Sequence, residues 1–349
     1  MNLELVVVML AVVAVMVSVA MAEGGLGRIF PGESWQFKQA SEVGVEEARL
    51  QKFIDALSRP DAAGCVVRNG YMVKLWGDPQ EKVGWMSASK PVLTTLLFHA
   101  IQQGKLKGVD DLVGDWGWEL KPKDRTMTFG HLANMISGYA CDEAPGAAWG
   151  YNDFGIKLYQ LTLERVFGKH LNEVAAECFA ALQFQDGPDI FAPNYHYRTS
   201  PRDFARIGWL WMNRGNWNGR QVLPKAMFDE YMKPYVPGDL PWTQTPKAID
   251  YLGIGSYGGG HDQKRYNGLG VYGFCWWFNS KAGTSGISAW PDAPADTFLG
   301  IGWGGVYIAM IPSKGLLAAA RGNWGHVEPG NVQSPLNANL KLLADCATK

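Results

Sequence analysis

The sequence, 349 residues long, has little excess charge of either sign: 32 basic residues face 33 acidic ones, for a net charge of −1 at pH 7. Residues 1–22 hold one acid, Glu4, and no base, so the remainder is neutral. Without a basic field there is nothing to hold a phosphate backbone, which argues against nucleic acid as a partner. Charged residues make up only 19% of the chain and apolar ones 47%, a balance that excludes disorder for most of it. Cysteine is scarce. Cys65, Cys141, Cys178, Cys275 and Cys346 are widely spaced with no Cys-x-x-Cys, so this is no disulfide scaffold, although one bridge stays open. Cys275, inside the apolar run Phe274-Cys275-Trp276-Trp277-Phe278, reads as a buried thiol.

Several chemical signatures are missing as well. His99, His131, His170, His196, His261 and His326 form neither His-x-His nor His-Glu-x-x-His, so no metal site and no cofactor are expected. His99 falls on a helical core stripe, and His196 is a candidate for the wall of a cleft. No Gly-x-Ser-x-Gly elbow occurs, which argues against an α/β-hydrolase. Two Gly-x-Gly-x-x-Gly matches, at Gly253-Gly255-Gly258 and Gly268-Gly270-Gly273, lack a strand before and a helix after them. With 42 glycines in the chain they read as chance.

What is present begins with an apolar run from Leu5 to Ala22 that ends in Ala20-Met21-Ala22, the small-x-small pattern of a signal-peptidase site. The segment before it carries no Lys or Arg, and the run also reaches the lower limit for a bilayer span. Residues 1–22 are therefore a cleaved signal peptide or a retained N-terminal anchor. In both cases the body, 23–349, is expected outside the cytoplasm, periplasmic or secreted, touching membrane only through that anchor.

The body has the length of one large domain or two lobes. Residues 45–57 have helical spacing, and two apolar runs, 65–68 and 71–76, flank Asn69-Gly70, a hairpin signal. Helical spacing resumes after Met86 and ends at Gly104. Residues 105–235 read as helices and loops, with helices at 130–137, 154–167, 171–182 and 201–213. Strands return at 271–279, 298–301, 305–312 and 315–320, and a helix at 335–346 closes the chain. The fold class that follows is α/β in the broad α+β sense. It has an antiparallel sheet flanked by N- and C-terminal helices, with about 23–86 and 245–349 in the sheet part and an inserted helical lobe at about 87–244. The Trp-rich stretch 209–217 reads as packing rather than a sugar platform.

The sharpest chemical feature is Ser87-Ala88-Ser89-Lys90 at the head of the helix that ends at Gly104. Residues three apart share a helical face, so the Ser87 hydroxyl and the Lys90 amine can meet. A serine becomes a nucleophile when a neighbour removes its proton, and a lysine serves when burial and nearby positive dipole ends lower its pKa. In the loop 145–153, Tyr151 is placed to share a proton with that lysine. Further on, Gly302-Trp303-Gly304-Gly305-Val306 opens a strand, where glycines let backbone approach a substrate. An N–H there would complete an oxyanion hole with the N–H of Ser87.

These three blocks together resemble the penicillin-binding-protein and class C β-lactamase-like serine hydrolases. Thr128-Phe129-Gly130-His131-Leu132, Ser200-Pro201-Arg202-Asp203-Phe204-Ala205-Arg206 and Tyr272-Gly273-Phe274-Cys275-Trp276-Trp277 add to the likeness. The resemblance implies Ser87 as the acylated nucleophile, Lys90 as its base and Tyr151 as the proton relay. It also implies an asparagine two residues after the tyrosine; here Asp153 stands there, unless Asn152 takes the role. The cationic third motif is replaced by Trp303-Gly304-Gly305, which resembles the family VIII carboxylesterases and makes the Val306 N–H the second oxyanion donor. An acid beside Lys90 holds it charged, and loss of the cation removes the anchor for a substrate carboxylate. The expected substrate is a small uncharged ester, or else an amide. The rival expectations are a true β-lactamase or D,D-peptidase, and a silent binding or sensor module on the same scaffold.

Overall fold

The computed structural model describes residues 27–191, 196–256 and 267–348. The run 5–22, Tyr195, Gly258 and His261 lie outside these residues. Helix α1 (Glu47–Ala56) leads into strands β1 (Ala63–Arg68) and β2 (Tyr71–Trp76), joined through Asn69 and Gly70. Both turn residues are left-handed, φ 51° and 88°, as a tight two-residue hairpin turn requires. After β3 (Val83–Gly84) come α2 (Lys90–Gln102), α3 (Phe129–Ala133), α4 (Asp153–Phe167) and α5 (Leu171–Cys178). Next are β4 (Ile190–Phe191), β5 (Tyr197–Thr199), α6 (Pro201–Met212), β6 (Asn216–Trp217), β7 (Arg220–Gln221) and α7 (Lys225–Tyr231). The chain ends with β8 (Tyr272–Gly273), β9 (Trp276–Phe278), β10 (Phe298–Gly302), β11 (Val306–Ile311), β12 (Leu316–Arg321) and α8 (Pro335–Cys346).

Seven strands form one antiparallel sheet in the order β2-β1-β12-β11-β10-β9-β8. Its central strands are buried almost throughout because helices cover both faces. On one face α1 packs with α8, and α6 lies against β1, β11 and β12. This two-sided cover explains why Leu316-Leu317-Ala318-Ala319-Ala320 is a continuous apolar run rather than an alternating one. Helix α6 thus belongs with the sheet although it lies within the 87–244 stretch, while α2, α3, α4 and α5 pack on one another. Trp209 and Trp211 are fully buried, which settles their role as packing. All five cysteines are buried and none is in a disulfide, so the bridge left open by the sequence is absent.

Three elements differ from the sequence-based expectation. The helix expected at 130–137 ends after Ala133, and Met135 is left-handed. The one expected at 171–182 breaks after Cys178 into a short 3-10 turn over Ala180–Leu182. The strand expected at 271–279 is instead a tight hairpin, β8–β9, with Phe274 (φ 46°) and Cys275 (φ 72°) as its left-handed turn. For residues other than glycine that conformation costs roughly 1–2 kcal/mol each. The cost is offset by a tight socket between the two lobes. The Phe274 N–H donates to Asn134 Oδ1 (2.7 Å), its carbonyl accepts from Thr94 Oγ1 (2.9 Å), and the Cys275 N–H donates to the Ala133 carbonyl (3.0 Å).

Asn134 also donates to the Gly130 carbonyl (2.8 Å) and is completely buried. Asn134→Ala should therefore orphan the Phe274 N–H in the core, while the Gly130 carbonyl keeps its bond from the backbone N–H of residue 134 (3.1 Å). Stability should fall by about 2–3 kcal/mol, read as a lower urea midpoint at unchanged slope; an unchanged midpoint would mean the socket does not hold the turn.

Candidate active site

The chain enters the site through Met86, a left-handed residue (φ 45°), and then makes a 3-10 turn over Met86–Ser89 before α2 begins at Lys90. Ser87 is thus in a 3-10 turn rather than in the α-helix itself. In such a turn residues three apart are eclipsed, and Lys90 Nζ stands 2.5 Å from Ser87 Oγ. The turn is pinned by Ser89, whose hydroxyl donates to the Met86 carbonyl (2.7 Å) and accepts from the Tyr197 N–H (3.0 Å). The Trp85 indole N–H donates to the Thr199 carbonyl (3.0 Å), so β5 holds the segment that carries Ser87 from both ends.

Helix α4 supplies the other half of the site. Asn152 is its N-cap: its side-chain oxygen accepts from the N–H groups of Phe154 (3.0 Å) and Gly155 (3.3 Å), and its amide donates to the Tyr139 carbonyl (2.5 Å). Capping fully occupies Asn152, so Asp153 and not Asn152 faces the lysine. Asp153 Oδ1 lies 2.9 Å from Lys90 Nζ, with the two side chains 11% and 4% exposed. Lys90 also donates to the Tyr151 hydroxyl (3.1 Å).

Buried ion pairs of this kind set the protonation states. Burial alone would push the Lys90 ammonium down, but the Asp153 carboxylate and then Tyr151 outweigh it, and the net direction is up. Burial raises the Tyr151 hydroxyl against the opposing pull of Lys90. At neutral pH the resting site is an ammonium donating to a serine hydroxyl, with a neutral phenol beside it. Because the folded-state value of Lys90 lies above its unfolded value of about 10.4, the pair stabilises the fold below that pH. This contribution is lost as pH rises through the folded value.

The sheet meets this cluster through two glycines. A Cβ at Gly300 would lie 2.4 Å from the Ala88 carbonyl, and one at Gly302 would lie 2.6 Å from that of Trp85. Strand β10 is therefore pressed directly onto the turn that carries Ser87, a role for Gly300 that the sequence reading missed. Its trace was there: glycines at i and i+2 of a strand clear one face. The expectation for Val306 needs correction. Val306 lies in an inner strand, opposite Gly302 on β10 and Arg321 on β12. The Asn279 N–H donates to the Thr297 carbonyl (2.9 Å). From there strand alternation points the main-chain groups of Gly302 at Val306, and those of Ile301 and then Trp303 at the free edge. Trp303, Gly304 and Gly305 form the β10–β11 turn, and Trp303 is 73% exposed. The cations nearby are engaged: Arg59 pairs with Asp61 (2.6 Å) and Arg321 with Glu81 (2.6 Å).

A belt the sequence did not reveal holds the tyrosine loop. The Trp149 N–H donates to the Pro241 carbonyl (2.8 Å) and the Thr243 N–H to that of Trp149 (2.7 Å). Glu143 accepts from Thr243, Thr245 and the Gln244 N–H. Trp277 stacks on the Tyr151 ring at 6.3 Å. Among the described residues, no group of three or more His, Cys, Asp or Glu side chains is placed to hold a metal ion.

Comparison with known proteins adds a family and a fold. The profile of the family described as Beta-lactamase matches residues 47–340. No curated protein matches the chain. Among solved structures, a candidate beta-lactamase from Bacteroides dorei DSM 17855 is similar at 18% identity and a TM-score of 0.60, over 86% of this chain and 98% of that one. A candidate 6-aminohexanoate-dimer hydrolase from Bacillus anthracis aligns at 16% identity and a TM-score of 0.58, over 89% and 87%. A penicillin-binding protein homolog from Caulobacter crescentus aligns at 15% identity and 0.55, over 90% and 97%. At these identities the likeness concerns the fold.

Replacing Asp153 by Asn removes the charge that keeps Lys90 protonated. The rate at which a fluorophosphonate probe phosphonylates Ser87 should then reach its half-maximum about one pH unit or more lower. The fold should lose about 3 kcal/mol at neutral pH. An unshifted profile would show that Asp153 does not govern the lysine.

Proposed function

The chain belongs to the Beta-lactamase family, whose members are serine hydrolases, and on that footing we propose that it cleaves small, uncharged carboxylic esters through an acyl-enzyme on Ser87. One observation carries the reading: Lys90 Nζ reaches the Ser87 and Tyr151 hydroxyls at 2.5 and 3.1 Å. In this reading Lys90 passes a proton to Asp153 as it takes the one from Ser87, and Oγ bonds to the ester carbon. Tyr151 gives its proton to the leaving alcohol and recovers one from Lys90, which regains its own from Asp153. The oxyanion is held by the Ser87 N–H and by an N–H on the free edge of β10, where Trp303 replaces Val306 as the donor of choice.

The preference for an uncharged ester follows from what the β10 edge offers. Gly300, Ile301, Gly302 and Trp303 include no cation, and Arg59 and Arg321 are spent on Asp61 and Glu81. A substrate carboxylate would lose its water without gaining a partner, whereas an apolar acyl or alcohol group meets an exposed indole. The amide reading stays in view through the similarity to the Bacillus anthracis protein. We also propose that the apolar run 5–22 exports the body of the chain. The intact mass of protein from the extracellular fraction would begin at residue 23 after cleavage or include residues 1–22 as an anchor; recovery from the cytosol alone would remove this part of the reading.

The test of the activity sets residues 23–349 beside Ser87→Ala on short p-nitrophenyl esters, a chromogenic cephalosporin and an aminohexanoate dimer. Ester turnover should fall by about 10⁴-fold in the variant, with little cephalosporin turnover in either protein. Fast cephalosporin hydrolysis would favour a β-lactamase or D,D-peptidase. Ester turnover indifferent to the substitution would remove Ser87 from the mechanism, and a Ser87 that takes up no acylating probe would favour a silent binding module.

A further inference from the structure

Once the alcohol has left, the Lys90–Asp153 pair is again an ammonium and a carboxylate, and the ammonium donates to the oxygen of Ser87, now an ester oxygen. That arrangement is suited to protonating Ser87 as it leaves. The relay through Asp153 serves the oxygen that Lys90 touches: its Nζ is engaged with Ser87 Oγ (2.5 Å), Tyr151 (3.1 Å) and Asp153 (2.9 Å), all on the leaving-group side, and a water attacking from the opposite side is not among these partners. Hydrolysis of the acyl-enzyme therefore calls for a base on the other side of the carbonyl.

His196 stands beside the turn that carries Ser87, near enough to Lys90 to feel its charge. It immediately precedes β5, where the Tyr197 N–H binds Ser89 Oγ (3.0 Å) and the Tyr197 carbonyl accepts from the Trp85 N–H (3.0 Å). Its backbone is thus fixed against the turn that carries Ser87. The imidazole rests on β3 by its Nε2–Cδ2 edge, three residues before Ser87: a Cβ at Gly84 would come within 2.6 Å of Nε2 and 2.9 Å of Cδ2. The residue is half-buried, and neither ring nitrogen has a hydrogen-bond partner among the described residues. An imidazole packed on one side and unpartnered on the other, beside a nucleophile whose own lysine is locked in an ion pair, has the attributes of a general base in waiting.

We propose that His196 is the base that activates the hydrolytic water in deacylation. The inference rests on the reading of Ser87 as the acylated residue. A ring nitrogen of His196 takes a proton from water as the water oxygen bonds to the acyl carbon. The tetrahedral intermediate then collapses, the carbon–Oγ bond breaks, and Ser87 Oγ takes a proton from Lys90. The product acid returns a proton to Lys90 and leaves as a carboxylate, and the imidazolium releases its proton to solvent. Burial, and then the positive charges of Arg198 on β5 and Lys90 on α2, hold the imidazole below its usual value, so it is neutral and ready at pH 7.

The experiment follows p-nitrophenol release from a short ester in the first turnover and at steady state, for wild type and His196→Gln. The variant should keep a burst of one equivalent while its steady-state rate falls by about 10²-fold, and intact mass should show the acyl adduct. The acid limb of the kcat profile should disappear with it. Gly84→Ala, which forces the ring aside, should show the same split. Equal turnover in wild type and variant would overturn the proposal, as would a burst that falls in step with turnover, since that marks a positioning defect. If neither protein ever carries an acyl group on Ser87, the failure lies instead with the reading of Ser87.

Discussion

A lysine ammonium and a carboxylate buried 2.9 Å apart are the constraint around which this molecule is organised. Neither charge would survive burial alone, because desolvation costs each several kcal/mol and only a partner of good geometry returns it. The partners come from different parts of the chain: Lys90 opens α2 and Asp153 opens α4. The pair can exist only if the two helix starts are held at a fixed separation. The Asn152 cap does this from one side, and the 3-10 turn pinned by Ser89 from the other. Between the lobes, the β8–β9 hairpin bonds to both α2 and the end of α3.

The acid also changes what the lysine can do for the serine beside it. With an amide in its place, burial and the helix dipole would let the lysine approach neutrality and act as a base directly. With a carboxylate, the lysine starts as an acid and must be relieved of a proton before it can accept another. In the proposed mechanism the site gains a reservoir for one proton and loses a resident base, and that trade gives significance to an otherwise ordinary half-buried histidine beside the turn that carries Ser87.

Much of this was legible in the sequence, and the boundary of legibility has physical reasons. The Asn69-Gly70 hairpin, the apolar strands 305–312 and 315–320 and the closing helix 335–346 carry local signals that tertiary structure did not override. Ser87, Lys90, Tyr151 and Asp153 were readable because motif spacing brought them together on paper as the fold does in space. The turn at Phe274-Cys275 was not, because no local preference favours it; the chain adopts it only because Asn134 and Thr94, far away in sequence, supply its hydrogen bonds. The same holds for the belt from 241 to 245 around the tyrosine loop. Val306 was misplaced by one strand edge: composition reveals that glycines open a strand, but only pairing partners tell which way an N–H points.

The five thiols, all buried and none in a disulfide, have a consequence for how the protein ages. Burial pushes Cys65 up to about 12 and Cys275 up to about 11, so in the native state scarcely any thiolate exists to react. Complete unfolding exposes all of them at once. In an oxidising compartment a bridge formed then, between residues that the fold keeps apart, bars the way back. Working lifetime in such a compartment then depends on how often the molecule opens as well as on how favourable its closed form is.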